Sequence, residues 1–204
     1  EKKYDNFHLQ VNFDLHQGET IGFVGPNGAG KTTTISMVLN TVKKDIGEIL
    51  IFGNDHLKCE AEVKEKMGVI LEEQNFYQNL KIDYLIKFCA SLYPYWDWQY
   101  ARYLRDKLEL TENKKYKELS KGMKAKFALV IALSTGGEFF LFDEPTSGLD
   151  PKVRHAILEE IEKIKKKKNP AILFSSHNML DVERLADRII LLDKGKILLD
   201  ENKG

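Results

Sequence analysis

Short apolar runs alternate along the chain with longer segments in which apolar residues recur at helical spacing. The short runs are typical of buried strands, and the longer segments are typical of helices that pack one face against a sheet. The predicted strands are residues 20–24, 48–52, 69–71, 139–142, 171–175, 189–192 and 197–199. The predicted helices are residues 33–41, 98–110, a helix after Ser120 that runs through Val130, 151–167 and 179–186.

This alternation predicts an α/β fold with a largely parallel sheet and helices on both of its faces. Residues 139–142 are apolar at every position, as expected of a strand that is covered on both sides. Residues 193–196 predict a tight turn that adds 197–199 as an antiparallel strand.

The segment from Gln74 to Leu119 differs from the rest of the chain because aromatic residues crowd into it. Its periodicity predicts a mostly helical insertion. The aromatic side chains either form a small core of the insertion or line a groove for a partner. We favour the core, because isolated aromatic residues are usually packing residues. The residues concerned are Phe76, Tyr77, Tyr84, Phe88, Tyr93, Tyr95, Trp96, Trp98, Tyr100 and Tyr103.

Composition narrows the possible functions. The 204 residues, 43% of them hydrophobic, suit one globular domain with a sizeable core. The 31 basic and 31 acidic residues balance, which argues against nucleic acid as the main partner, since backbone binding needs clustered Lys and Arg. The two cysteines give no disulfide framework, and the longest apolar stretch, residues 127–133, is too short to span a bilayer.

Residues 25–32 (GPNGAGKT) match the phosphate-loop pattern G-x-x-x-x-G-K-[ST] at every fixed position. Gly28 and Gly30 allow a tight turn and a close approach of the backbone to phosphate. The loop N–H groups and the following helix N terminus then face the anion. Lys31 supplies a positive charge for the β- and γ-phosphates, and the Thr32 hydroxyl suits Mg²⁺. The sequence therefore predicts a nucleotide site.

Two carboxylates, Asp143 and Glu144, follow directly on the apolar strand 139–142. A strand that ends in two carboxylates delivers both to the carboxyl edge of the sheet, beside the phosphate loop. We expect Asp143 to hold Mg²⁺, directly or through water. We expect Glu144 to orient and polarise the attacking water.

Five motifs, in the order in which they occur along the chain, resemble those of the ABC (ATP-binding cassette) ATPases. Together they extend over nearly the whole chain. A phosphate loop alone occurs in many nucleotide hydrolases, and a kinase with such a loop would leave residues 119–122 and His177 unexplained. The resemblance implies a P-loop NTPase (RecA-like) core in residues 1–73 and 120–204, with an antiparallel β portion near its N terminus. It implies a helical subdomain in 74–119, so that 1–204 form a single ABC ATPase domain. The motifs are residues 25–33, 119–123 (LSKGM), 143–146, 147–150 and 175–177.

The resemblance also implies ATP and Mg²⁺ as cofactors, and two subunits arranged head to tail. ATP on one subunit's phosphate loop is closed over by Ser120 and Gly122 of the other, and Asp150 bridges the two. Ser120 also suits an ordinary helix N-cap. His177 resembles the histidine that contacts the γ-phosphate and supports Glu144. The residues implied in ATP binding are Tyr4, which would stack on adenine with Phe7 as the alternative, and Gly25, Pro26, Asn27, Gly28, Ala29, Gly30, Lys31, Thr32 and Thr33. Those implied in metal binding are Thr32, Asp143 and Glu72.

Two motifs depart from the family pattern. Lys121 and Met123 stand where the family usually has Gly and Gln, and Glu72 stands where a Gln usually follows the strand 69–71. Glu72 adds negative charge near the nucleotide. The Lys-Gly-Met form, together with residues 95–98 (YWDW), resembles the ATPases of bacterial antibiotic- or peptide-export systems.

Two functions remain open at this point. The first is a peripheral ATPase subunit on the inner, cytoplasmic face of the cell membrane, which powers export of an antibiotic, a peptide or a lipid-like substrate. Its partners would be a separately encoded transmembrane permease, on which the helical insertion docks, and a second ABC ATPase in a homodimer or heterodimer. The alternative is a soluble ABC-type ATPase that acts on ribosomes or nucleic acid. One cassette and zero net charge argue against it, so we expect no nucleic-acid partner.

Overall fold

The computed structural model describes residues 1–73, 75–110 and 114–203. Gln74, the predicted start of the helical insertion, lies outside them. The strands are β1 (Lys2–Tyr4), β2 (Phe7–Leu9), β3 (Thr20–Val24), β4 (Leu50–Ile51), β5 (Asn54–Asp55), β6 (Met67–Ile70), β7 (Phe139–Asp143), β8 (Ala171–Ser175), β9 (Arg188–Asp193) and β10 (Lys196–Asn202). The helices are α1 (Lys31–Val38), α2 (Glu60–Glu65), α3 (Ile82–Ala90), α4 (Trp98–Lys107), a 3-10 helix (Tyr116–Glu118), α5 (Lys121–Ser134), α6 (Pro151–Lys168) and α7 (Met179–Leu185).

The central sheet has six strands in the order β10-β9-β3-β8-β7-β6. β9, β3, β8, β7 and β6 run parallel, and β10 pairs antiparallel with β9 at one edge. β1 with β2, and β4 with β5, form two separate antiparallel hairpins. The predicted parallel sheet, terminal hairpin strand and N-terminal antiparallel portion are confirmed. Within the described ranges, no helix has both the length and the apolar character needed to cross a bilayer.

The hydrophobic core consists of two clusters, one on each face of the sheet. In β7, successive side chains alternate between the two clusters. Phe140 and Phe142 point to the face covered by α3 to α7, whereas Phe139 and Leu141 belong to the core on the face of α1 and α2. Every residue of β3, β7 and β8 is buried. This burial explains why the central strands are continuous apolar runs rather than alternating ones.

Several predicted boundaries are wrong by a few residues, and three of them show the physical reason, a backbone angle or a close contact. α1 begins at Lys31 instead of residue 33, directly after Gly30 in the left-handed region. β4 ends at Ile51, because Phe52 has a φ of 54° and turns the chain. β6 begins at Met67 instead of residue 69 and includes Gly68, where an added Cβ would lie 2.4 Å from the Ala132 carbonyl oxygen.

The helical segment between β6 and α5 packs on the same core as the sheet. The buried faces of α3 and α4 join one apolar cluster with α5, α6 and α7. Asp97 caps α4 by accepting the Tyr100 N–H, and its own N–H donates to the Ser134 carbonyl at the end of α5. The segment is therefore attached to α5 at a defined position.

The expectation that the aromatic residues of this segment form its core is only partly confirmed. Phe76 and Trp96 pack against the shared core, and Tyr100 is buried in it. The remaining large aromatic side chains of the segment are mostly at the surface, on the outer faces of α3 and α4 or in the loops around them. The exposed ones are Tyr77, Tyr84, Phe88, Tyr95, Trp98 and Tyr103.

Candidate nucleotide site

The phosphate loop connects β3 to α1 at the carboxyl edge of the sheet. Gly28 and Gly30 have φ angles of 80° and 111°, both in the region that favours glycine. A Cβ added to Gly30 would lie 2.6 Å from Leu9 Cδ1, so β2 packs directly under the loop. Among the described residues, no atom lies within 4 Å of a Cβ added to Gly28, so Gly28 is favoured by its positive φ alone. Gly30 is favoured both by its φ and by the close packing against Leu9.

The N terminus of α1 is open to an anion. Gly30 is its N-cap and provides no side-chain cap for the first-turn N–H groups. Lys31 is only 6% exposed, and its ammonium donates to the Gly25 and Pro26 carbonyls at 2.7 and 3.3 Å, which holds it inside the loop. Thr32 and Thr33 lie beside it in the first turn, with Thr32 exposed. Free N–H groups, a lysine and a helix N terminus are the elements of a phosphate cradle.

Asp143 ends β7 at the same edge of the sheet. The strand register aligns it with Ser175 of β8, which in turn aligns with Phe23 of β3, just before the phosphate loop. The Ser175 hydroxyl donates to Asp143 Oδ1 at 2.5 Å and accepts the Glu144 N–H at 2.9 Å. One serine therefore fixes both acidic residues.

Glu144 is held in an unusual backbone conformation. Its φ of 49° lies in the left-handed region, which costs energy for a residue with a Cβ and is often found at functional positions. Its Oε2 lies 2.8 Å from His177 Nδ1, so that the ring can donate a hydrogen bond to the carboxylate. The histidine side chain is 58% exposed and the glutamate only 9%. The His177 ring thus faces solvent, and its hydrogen bond fixes the orientation of the buried Glu144 carboxylate.

Glu72 and Tyr4 lie at the margins of this group. Ile70 of β6 aligns with Phe142, so the exposed Glu72 lies one residue beyond the level of Asp143 on the neighbouring strand. Tyr4 is half-exposed on β1, and its ring centroid lies 6.4 Å from that of Phe7. Phe7 is nearer the phosphate loop, since its Cζ lies 3.2 Å from the position of a Cβ on Gly30. The assignments of Tyr4 and Glu72 stay predictions.

A second group of predicted residues lines a separate cavity of about 420 Å³. Ser120 caps α5 by accepting the Met123 N–H, and Asp150 caps α6 by accepting the N–H groups of Lys152 and Val153. The described residues that line the cavity include none from the phosphate loop. They are Ser120, Lys121, Gly122, Met123, Lys126, Gly148, Leu149, Asp150 and Val153. The fold therefore brings Ser120, Gly122 and Asp150 together, apart from the phosphate loop of their own chain.

A buried polar network that the sequence did not reveal connects the Glu144 loop to α7. The Thr146 hydroxyl donates to Asp181 Oδ2 at 2.6 Å, and Arg154 Nε donates to Asp181 Oδ1 at 2.8 Å. Asp181 is buried and follows His177 by four positions. This network holds the segments that carry Glu144 and His177 against each other. In the sequence, the only sign of this network is Asp181, an acidic residue within the predicted helix 179–186.

Comparison with known proteins decides the family. A family model described as "ABC transporter" matches residues 9–147, which contain the phosphate loop, residues 119–123 and the pair Asp143 and Glu144. The chain belongs to the ABC transporter family.

Curated relatives of this ABC domain are ATP-binding proteins of Bacillus. The ABC transporter ATP-binding protein YtrB of Bacillus subtilis (strain 168) is 32% identical over 197 residues, 95% of this chain and 67% of YtrB. The linearmycin resistance ATP-binding protein LnrL of the same organism is 35% identical over 193 residues, 92% of this chain and 62% of LnrL. The bacitracin transport ATP-binding protein BcrA of Bacillus licheniformis is 35% identical over 196 residues, 94% of this chain and 62% of BcrA. The chain thus spans 62% to 67% of the length of these relatives.

Solved structures of ABC subunits share the fold. An ATP-binding subunit of an ABC transporter matches with a TM-score of 0.86 and 29% identity, over 94% of this chain and 82% of that chain. The dimeric bacterial ABC transporter cassette MJ0796 matches with a TM-score of 0.83 and 23% identity, over 95% of this chain and 90% of that chain, a likeness of fold alone. The predicted family, the P-loop NTPase fold and the ATPase class are therefore confirmed, with ATP as the nucleotide of the family.

Proposed function

We propose that this ABC domain hydrolyses ATP to power a membrane exporter, together with a separately encoded permease. The observation that carries the proposal is the fixed position of Glu144, joined to His177 by its side chain and to Ser175 by its backbone N–H. Ser175 also holds Asp143, and the sheet register brings all of them to the edge of the phosphate loop. These are the parts that phosphoryl transfer to water needs: a phosphate cradle, a metal-holding carboxylate and a group that orients water.

In the proposed reaction, Glu144 accepts a hydrogen bond from a water molecule placed in line with the γ-phosphate. The water oxygen forms the new bond to γ-phosphorus while the bond to the β,γ-bridging oxygen breaks, giving ADP and phosphate. The proton of the water passes to Glu144 or to the phosphate, and His177 keeps the carboxylate in place. Lys31 balances the charge of the β- and γ-phosphates from within the loop.

The residues present fit a Mg²⁺ ion. Such an ion takes few protein ligands and shares phosphate oxygens, so a hydroxyl and a carboxylate suffice. We assign these to Thr32, exposed in the first turn of α1, and Asp143, whose Oδ1 accepts the Ser175 hydroxyl and whose Oδ2 has no donor among the described residues. Glu72 would hold the ion or its water from the next strand. When bound, Mg²⁺ neutralises part of the phosphate charge.

We propose that the working form is a head-to-tail pair of ABC subunits. The cavity formed by Ser120, Gly122 and Asp150 is apart from the phosphate loop of its own chain, as expected if it closes over ATP of a second subunit. The N terminus of α5 opens into this cavity, where it favours an anion. A homodimer and a heterodimer with a related ATPase both satisfy this geometry.

The proposed export role rests on the similarity to LnrL and BcrA. The proposed place of action rests on an exposed surface of α3. LnrL and BcrA are named for linearmycin resistance and bacitracin transport, which supports an antibiotic, peptide or lipid-like substrate. We propose that residues 74–119 form the helical subdomain and dock on the permease at the inner face of the membrane, with the exposed row of Tyr84 and Phe88 on α3. An ATPase of ribosomes or nucleic acid is not favoured, because the reported relatives include transport and resistance proteins and the net charge is zero.

Phosphate release from Mg·ATP, measured with the chain alone and with its permease in membranes, tests the proposal. Glu144→Gln should abolish turnover while ATP binding persists, since the amide cannot polarise water in the same way. Glu138→Gln is the matched control, because Glu138 lies at the opposite end of β7, where it pairs with Lys66. Turnover that survives in Glu144→Gln, or a wild-type chain that hydrolyses nothing even with its permease, would overturn the proposal.

A further inference from the structure

Asp181, in the first turn of α7, is a buried carboxylate with a hydrogen-bond donor on each of its two oxygens. Its Oδ2 accepts the Thr146 hydroxyl at 2.6 Å. Its Oδ1 accepts Arg154 Nε at 2.8 Å and lies 2.6 Å from Arg154 Nη2. Three segments of the chain therefore meet at this one side chain, namely the loop after β7, the helix α6 and the helix α7.

Stability alone does not explain a charged side chain at this position. A buried ion pair loses the hydration of both charges, and well-packed apolar residues in its place are often equally or more stable. The neighbouring residues Val182 and Leu185 are apolar and buried, and they already pack α7 on the core. The carboxylate adds what apolar contacts do not, because its hydrogen bonds fix both the distance and the direction of its partners.

The distance that Asp181 fixes is the one between the two segments that carry the water-orienting pair. Thr146 follows Glu144 by two residues, and Asp181 follows His177 by four. The two segments are thus joined twice, once between His177 and Glu144 and once between Thr146 and Asp181. The histidine of the first contact is 58% exposed, whereas both residues of the second are buried. Water competes with the exposed contact, so the buried one is the stronger constraint on geometry.

We infer that Asp181 is a positioning residue for ATP hydrolysis, an inference that rests on the roles proposed above for Glu144 and His177. Through Thr146, Asp181 keeps α7 at the distance from the loop at which His177 can donate to the carboxylate. Arg154 supplies the opposite charge that the buried Asp181 needs. Loss of this contact should therefore slow hydrolysis and leave ATP binding unchanged, because the phosphate loop is not involved.

Thr146→Val tests the inference, because it removes the hydroxyl and leaves the shape of the side chain nearly unchanged. We expect kcat for ATP hydrolysis to fall about tenfold, since small displacements of the groups around a reaction cost this much or more. KM for ATP should change by less than about twofold, because no interaction with bound ATP is removed. Thr146→Ser keeps the hydroxyl and should retain most of the turnover.

Thr135→Val is the matched control. Thr135 is also buried, and its hydroxyl donates to the Ala132 carbonyl and accepts the Gly137 N–H. It follows α5 and precedes the start of β7, whereas Glu144 follows the end of that strand. Both Val variants should lower the thermal unfolding midpoint, but only Thr146→Val should lower kcat. An equal fall of kcat in the two variants would show a general effect of stability and overturn the inference.

A double variant shows whether the two residues act as one unit. Asp181→Ala removes the acceptor of the Thr146 hydroxyl, so Thr146→Val added to it should cost no further turnover. Losses that multiply in the double variant, or a wild-type kcat in Thr146→Val, overturn the inference and leave the proposed ATPase intact. If Asp181→Ala does not fold, the Thr146 variants and their control decide alone. Turnover that survives in Glu144→Gln overturns the proposed function itself.

Discussion

At the scale of single residues, Glu144 combines a catalytic assignment with backbone strain. A non-glycine residue in the left-handed region costs about 1–2 kcal/mol, and glycine avoids this cost. Glu144→Gly should therefore raise the free energy of unfolding by about 1 kcal/mol while turnover is lost. Urea unfolding and phosphate release measured on the same preparation check both parts.

Glu138→Gly is the control for the higher free energy of unfolding and the loss of turnover that we expect in Glu144→Gly. Glu138 lies outside the left-handed region, so glycine there should lower the free energy of unfolding by about 0.5–1 kcal/mol and leave turnover intact. A Glu144→Gly chain less stable than wild type would contradict the assignment of strain to this residue.

Glu72 is the residue whose charge departs from the family pattern on the phosphate-loop side. It is exposed and lies just beyond the level of Asp143, so an amide oxygen in its place can still hold an ion or its water. We expect Glu72→Gln to change kcat by no more than about threefold, and to lower KM for ATP because one negative charge is removed. Glu73→Gln is the neighbouring control and should alter neither quantity. Loss of most activity in Glu72→Gln would show that the position does not tolerate both residues.

The sequence marks the residues to which we assign chemistry more clearly than the residues that hold them in place. Residues 25–32, Asp143, Glu144 and His177 follow patterns whose spacing reflects phosphate chemistry, and they stand in the order that the family requires. Ser175 and Asp181 act through contacts with residues distant in sequence. No spacing pattern records such contacts, because the fold alone brings the partners together.

At the scale of elements, the strands of the central sheet were predictable and their ends were not. Burial on both faces makes β7 and β8 apolar at nearly every position, which the sequence shows directly. The ends depend on single backbone angles and close contacts, such as the positive φ of Phe52 and the fit of Gly68 beneath the Ala132 carbonyl. These are tertiary effects that local composition does not encode.

The buried face of α3 makes a prediction about thiol chemistry. Burial raises the pKa of the Cys89 thiol to about 11, whereas Cys59 is half-buried at the start of α2. A raised pKa means less thiolate at every pH below it, so Cys89 should react with iodoacetamide at pH 8 about a hundredfold more slowly than Cys59. Peptide mass spectrometry over time measures both rates.

Unfolding provides the control for this comparison. In urea, the two thiols should react at similar rates, because the difference comes from burial rather than from neighbouring residues. If Cys89 reacts as fast as Cys59 in the native chain, α3 opens from α5 far more readily than its packing indicates.

At the scale of the whole molecule, the two faces of the helical segment have different roles. Ile82, Leu85 and Ile86 of α3 are buried in the core shared with α5. Tyr84 and Phe88, four positions apart, are 58% and 44% exposed on the other face. The sequence analysis favoured a core position for Tyr84 and Phe88 too, and this was wrong, because sequence alone does not show which side of the segment meets a neighbour. Exposed aromatic residues in a row commonly mark a surface for a partner.

The last prediction concerns that row. Phe88→Ser removes a large exposed apolar side chain and should weaken binding to the cognate permease about tenfold, as expected for truncation of an interface aromatic. Hydrolysis by the chain without permease should be unchanged, because Phe88 lies on α3 and not among the residues that hold the nucleotide. Leu198→Ser is the matched control, since Leu198 is similarly exposed on β10 at the far edge of the sheet from β6. Co-purification with the permease and ATP-driven transport in vesicles measure the effect. Docking on α3 predicts a loss of binding in Phe88→Ser but not in Leu198→Ser. An equal loss in both variants, or none in either, would therefore show that the permease does not dock on this row.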